Sequence, residues 1–158
     1  MRDKKDSLQP PDYLAALASL AQSLWDIGSR RSGWVSLAFE YERLRAQLPI
    51  ERRVELAAML LRMLIEDDEC DVVGSWLNDA IADCKSLPDT SVAKQDCLRR
   101  AAHCQLLQCA YPQAITTFAD AISCCADPTV VTELKAQLAE MHLLQGELHN
   151  VIQGEGHS

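Results

Sequence analysis

The chain has 158 residues, 48% of them hydrophobic and only 5% aromatic, and its 15 Lys and Arg face 23 Asp and Glu for a net charge of −8. That is enough chain for one buried core, and a Leu- and Ala-rich, aromatic-poor composition favours helix over strand. The only basic run, Met1–Lys5, is too short for a phosphate-binding surface, no stretch nears the roughly 20 apolar residues of a membrane span, and the charged first residues lack the apolar core of a secretory signal.

Composition therefore predicts an all-α protein, cytoplasmic or also nuclear, that binds neither nucleic acid nor membrane. The prolines Pro11, Pro49, Pro88 and Pro128 recur at intervals of 38, 39 and 40 residues. Proline sits in the first turn of a helix or just outside its ends, so even spacing predicts repeated units. The units read as 11–48, 49–87, 88–127 and 128–153, between flexible ends at 1–10 and 154–158.

In the first unit a helix over Tyr13–Ile27 ends near Gly28, and a second runs from Trp34 to Leu48. The second unit holds Val54–Glu66, an acidic turn through Glu66, Asp67, Asp68 and Glu69, and a helix over Val72–Lys85. Leu56–Ile65 is apolar on almost every side, as expected of a helix packed between neighbours. The third unit pairs Ser91–Gln108, capped by Thr90 or Ser91, with a helix opening at Pro112. Tyr111, Ala114, Ile115, Phe118, Ala121, Ile122 and Cys125 follow the helical spacing there. The fourth unit runs Thr129–Leu144, turns at Gly146 and continues only to about Gln153.

The segment Tyr111-Pro112-Gln113-Ala114-Ile115, with Phe118 and Ala121, resembles the second helix of a tetratricopeptide repeat. Leu138, Ala139, Gly146, Leu148 and Val151 echo the same motif, and Trp34, Leu37, Tyr41 and Leu44 do so more loosely. The period exceeds the usual 34, and Gln105 and Cys109 stand where the motif has an aromatic residue and a glycine. The resemblance implies a right-handed α-solenoid of about three and a half helix pairs.

The acidic turn Glu66–Glu69, the Ala80–Ile81 helix, the Cys-containing helix and the Tyr111–Phe118 segment follow one another in a further familiar order. It resembles the helical-repeat region of the fourth-subunit family of the COP-nine signalosome, and of a related proteasome-lid subunit, over Asp12 to Val151. In that family the repeats lead into a winged-helix PCI module, and this chain stops before one. The resemblance implies a non-catalytic scaffold in a complex that removes a ubiquitin-like modifier from cullins, with catalysis supplied elsewhere. A bacterial secretion chaperone holding an unfolded client is the alternative that length and charge allow.

No catalytic, cofactor or metal constellation is expected. Seven cysteines (Cys70, Cys84, Cys97, Cys104, Cys109, Cys124 and Cys125) include no C-x-x-C pair and follow no disulfide framework, so they read as small core residues. His103 and Cys104 point about 100° apart on a helix, and Cys97 and Cys104 lie about 10 Å apart along it, too far to share one ion. His142 and His149, divided by the expected turn, make a weak pair. The acidic cluster lacks the ligand spacing and central Gly of a calcium loop. Partner contacts are instead expected at Glu66, Asp67 and Asp68, and at Leu134, Leu138, Met141 and Leu144. A short final helix would leave that last face without full cover, inviting another protein or a second copy of the chain.

Overall fold

The computed structural model describes the backbone of residues 9–154 and the side chains of residue 9 and residues 11–146. The flexible ends expected at 1–10 and 154–158 therefore lie largely outside the described residues. Among the described residues the fold comprises seven α-helices and no strand. They are α1 (Pro10–Asp26), α2 (Arg30–Leu44), α3 (Ile50–Glu66), α4 (Trp76–Lys85), α5 (Val92–Leu107), α6 (Tyr111–Cys124) and α7 (Pro128–Gly154). Short 3-10 turns at Arg45–Gln47 and Cys70–Val72 complete the helical content.

Local chemistry sets the boundaries. Pro49 precedes the first residue of α3, and Pro128 opens α7. Ser91 caps α5, its hydroxyl accepting from the Lys94 amide at 3.2 Å, which satisfies a donor the first turn cannot pair. Helix α2 stops four residues before Leu48, tightening into the 3-10 turn instead. The helix expected from Val72 starts at Trp76, because the β-branched Val72 and Val73 and the unrestrained Gly74 disfavour helix and Val73 is extended.

The turn expected at Gly146 does not form. Helix α7 runs unbroken for 27 residues through that glycine to Gly154, so there is no short second helix in the fourth unit. A mid-helix glycine costs only about 1 kcal/mol, and the flanking Leu143, Leu144, Gln145, Glu147 and Leu148 are good helix formers.

Three of the first helices end in the same way. Gly28, Asp68 and Cys109 adopt positive φ, +93°, +55° and +59°. After each, an amide reaches back to a carbonyl of the last turn: Ser29 to Leu24 at 2.8 Å, Glu69 to Leu64 at 2.8 Å, Ala110 to Gln105 at 2.9 Å. This is the Schellman closure, in which a left-handed residue lets the chain reverse while pairing the last carbonyls. The interval between successive caps, 40 and 41 residues, is two residues longer than the corresponding proline intervals and sets a common register for α1, α3 and α5.

Helix α1 packs on α2, and α5 on α6, as tight hairpins. Gly33 permits the first crossing: a Cβ there would meet the Ala21 carbonyl oxygen at 2.7 Å. The corresponding residue of the third pair is Ala114, fully buried. Helix α3 packs more extensively against α5 than against its own partner α4, which explains why Leu56, Ala57, Ala58, Leu60, Leu61, Met63 and Leu64 are all buried. Tyr41 meets Trp76 edge to face at 5.6 Å in this core.

Polar ties join each pair to the next. Trp34 Nε1 donates to Asp67 at 2.8 Å, Arg45 bonds Asp79 at 2.6 Å, and Gln108 Nε2 donates to the Cys70 carbonyl at 2.8 Å. Arg31 pairs with Glu69 at 3.5 Å, and within the second pair Arg53 ties α3 to α4 through Asp83 at 3.4 Å. The most exposed of these, Arg31–Glu69, contributes least, since water and salt screen it.

Candidate functional site

The first helices of the pairs share one face, and a groove crosses it. Between α1 and α3 lies a hollow of about 310 Å³, lined by Pro11, Ala15, Ala18 and Ser19 opposite Arg52, Glu55 and Met59. Glu55 also borders the next hollow, between α3 and the start of α5, which is about 490 Å³ and includes Glu51, Ala58, Thr90, Ser91 and Asp96. Asp96 in turn borders a third, of about 360 Å³, where α3, α5 and α7 meet. Glu55 and Asp96 thus place the three hollows next to one another along a single trough-like surface of these helices.

Its character changes along its length. The α1 end is mostly apolar, and the middle is acidic through Glu51, Glu55 and Asp96. The α7 end gathers Arg62, Arg99, Arg100 and His103, with Glu66 and Glu133, over an apolar floor of Ile65, Val130 and Leu134. Asp96 bonds Arg100 at 2.8 Å and approaches Arg99 at 3.5 Å, holding both guanidinium groups at the trough. Arg62 is steadied by Gln22 and, at 3.8 Å, by Glu66. Guanidinium groups in such fixed forks suit carboxylate recognition. Burial and the nearby Arg100 hold the His103 imidazole below its ordinary range, so its neutral form prevails at pH 7.

The residues expected to contact partners fall in two places. Glu66 borders the trough. Asp67 is committed to Trp34, and Asp68 takes the left-handed cap. The acidic turn thus joins the first two helix pairs as well as facing solvent.

On α7 the face expected to lack cover has cover. Leu134 and Met141 are buried and Leu138 is half-buried, because α7 lays this stripe against α6 and the core. Leu144 is exposed, beside the more exposed Leu143. Sequence reasoning missed the trough's arginines, whose only signal was Arg99-Arg100 beside Asp96 within one turn; Arg62 arrives from another helix.

No cysteine is bridged: Cys70, Cys84, Cys97, Cys104 and Cys124 are buried, Cys125 is half-buried and Cys109 is exposed. Cys104 lies beside Cys70, and Cys97 beside Cys84, where α5 meets the preceding pair. Burial raises the Cys104 and Cys70 thiols, and the Cys84 contact with burial raises Cys97, so they stay protonated and unreactive at neutral pH. Burial likewise raises the Tyr41 phenol. Among the described residues no three His, Cys, Asp or Glu side chains converge as a metal site requires. His142 is exposed on α7, and the side chain of His149 lies outside the described residues. Among the described residues no helix is long and apolar enough to cross a membrane. No protein-family model matches the chain, and neither a curated protein nor a solved structure does.

Proposed function

We propose that the protein is a non-catalytic interaction scaffold, a tetratricopeptide-like solenoid that holds a peptide segment of another protein along the trough of its first helices. The observation that carries this reading is the succession of three adjoining hollows from α1 to α7, bordered in common by Glu55 and Asp96. An extended or helical peptide matches such a surface, anchored by apolar side chains and clamped by charge. The arginine-rich end takes an acidic stretch of the partner, and the acidic middle takes a basic or amide-bearing one.

The test is affinity capture of the tagged protein from its native cells beside an Arg99→Glu/Arg100→Glu variant, read by mass spectrometry. A partner held by the parent and lost by the folded variant supports the trough. A partner held equally by both overturns it. Recovery of signalosome or proteasome-lid subunits in matched amounts supports the narrower proposal of a subunit role in cullin deneddylation. Recovery of a single unfolded client would replace it with the chaperone reading.

A further inference from the structure

Helices α4 and α6, the second helices of neighbouring pairs, scarcely touch, and α5 packs against both beneath the gap between them. The gap is a cleft of about 360 Å³, walled by Asn78 and Ile81 of α4 and by Gln113, Thr116 and Thr117 of α6, with Gln105 of α5 as its floor. Gln105 comes about two and a half turns after Asp96 on α5, so it points to the side of that helix away from the trough.

The floor is what marks this cleft as a site. Gln105 stands where the tetratricopeptide motif that the third unit resembles has an aromatic residue, so a polar side chain takes an apolar place. It is 4% exposed, and its Oε1 has no hydrogen-bond partner among the described residues. An orphaned buried oxygen costs stability that an apolar residue would not lose. On the α6 wall the Thr116 and Thr117 hydroxyls donate to the Pro112 and Gln113 carbonyls at 3.2 and 3.0 Å, which leaves their oxygens as acceptors. Lys85 and Asp120 add one charge of each sign, so the cleft favours neither an anion nor a cation.

We propose that this cleft binds the main chain of an extended peptide segment of another protein, with the Gln105 carboxamide paired to one of its peptide units. The two groups are chemically alike, each with an N–H donor beside a carbonyl acceptor, so together they close a ring of two hydrogen bonds. The match holds whichever way the Gln105 amide is turned. Its flexible side chain changes rotamer to bring the sealed Oε1 up to the ligand. The α6 face from Gln113 to Asp120 is about 10 Å long, the length of about three residues of extended chain. That length suits successive peptide units, met by the Asn78 and Gln113 amides and the threonine oxygens, rather than a single side-chain amide.

The test is an NMR titration of the ¹⁵N-labelled full chain with acetyl-Ala-Ala-Ala-amide to about 50 mM, following the side-chain amides of Asn78, Gln105 and Gln113. The three signals should shift together with a millimolar dissociation constant, and the same peptide with its amide nitrogens methylated should bind about tenfold more weakly. Gln105→Met should weaken binding about tenfold, read at the other two amides, while melting no lower than the parent, because it removes the orphaned oxygen at little change in volume. Gln113→Ala, on the exposed wall, should weaken binding about threefold. No shift, equal binding of the methylated peptide or of propionamide, or undiminished binding by either variant overturns the proposal. So does a Gln105→Met chain that melts several degrees below the parent, since the amide would then be held by partners inside the protein. Arg99→Glu/Arg100→Glu should leave this titration unchanged, so the cleft and the trough fail separately.

Discussion

Helices α1 and α3 carry equivalent stripes and put them to opposite ends. On α3, Ala57, Leu60 and Leu64 are sealed against the preceding pair; on α1, Leu17, Leu20 and Leu24 stand where no preceding pair lies among the described residues. The local sequence is of the same kind and the cap geometry is the same. Position in the array alone separates a core residue from a surface one, so the same substitution carries different consequences on the two helices.

The comparison breaks most sharply at its centre. Leu60→Ala should cost about 3 kcal/mol, the transfer term plus the cavity left behind, whereas Leu20→Ala should change stability by no more than about 0.5 kcal/mol. Urea unfolding at low protein concentration measures both, and equal losses would refute the register. The hairpin crossings come next. Gly33→Ala should cost about 2 kcal/mol, because the added methyl meets the Ala21 backbone oxygen. The third pair already holds Ala114 at that place, and Ala114→Gly should cost about 1 kcal/mol through helix propensity and lost packing.

The caps sharpen the comparison with a gain. Cys109→Gly should stabilise the third pair by about 1 kcal/mol, since glycine takes positive φ without steric cost, while Gly28→Ala should cost the first pair a similar amount. Melting temperatures decide the sign. The smallest effect is a pH dependence at the α7 end of the trough. With the folded His103 below its ordinary range, the unfolded chain takes up this proton first as pH falls. Stability from His103 is therefore present above about pH 6.5 and is lost on acidification below it. His103→Gln should flatten that portion of the profile, measured by urea midpoints on both sides of the window.

Much of the architecture was legible because helices announce themselves by period and punctuation. Ser91, Pro112 and the prolines that open the first helices fell where capping chemistry requires. Gly146 misled, since glycine weakens a helix without ending it when its neighbours favour one and no left-handed turn is built. Cys109 shows the reverse: a side chain in place of the expected glycine, yet the positive φ is kept. The stripes on α1, α3 and α7 all look alike in sequence, because periodicity reports which face is apolar and says nothing of what covers it. Leu134 and Met141 were expected open and are closed; Leu20 and Ile27 gave no sign of standing exposed. The trough was illegible for a related reason, since Arg62, Asp96 and Glu133 meet only when three helices are packed together.

The ties between pairs have a consequence for how the chain is made. The side-chain bonds between neighbouring pairs reach across 33 to 40 residues, as in Trp34 to Asp67 and Arg62 to Gln22. A nascent chain can therefore dock each hairpin on the previous one soon after both have left the ribosome, without waiting for its far end. Loop closure over so short a span is cheap, and topologies rich in such near contacts fold fast. Assembly would run from α1 onward like a zipper, with α7 the last tooth to close.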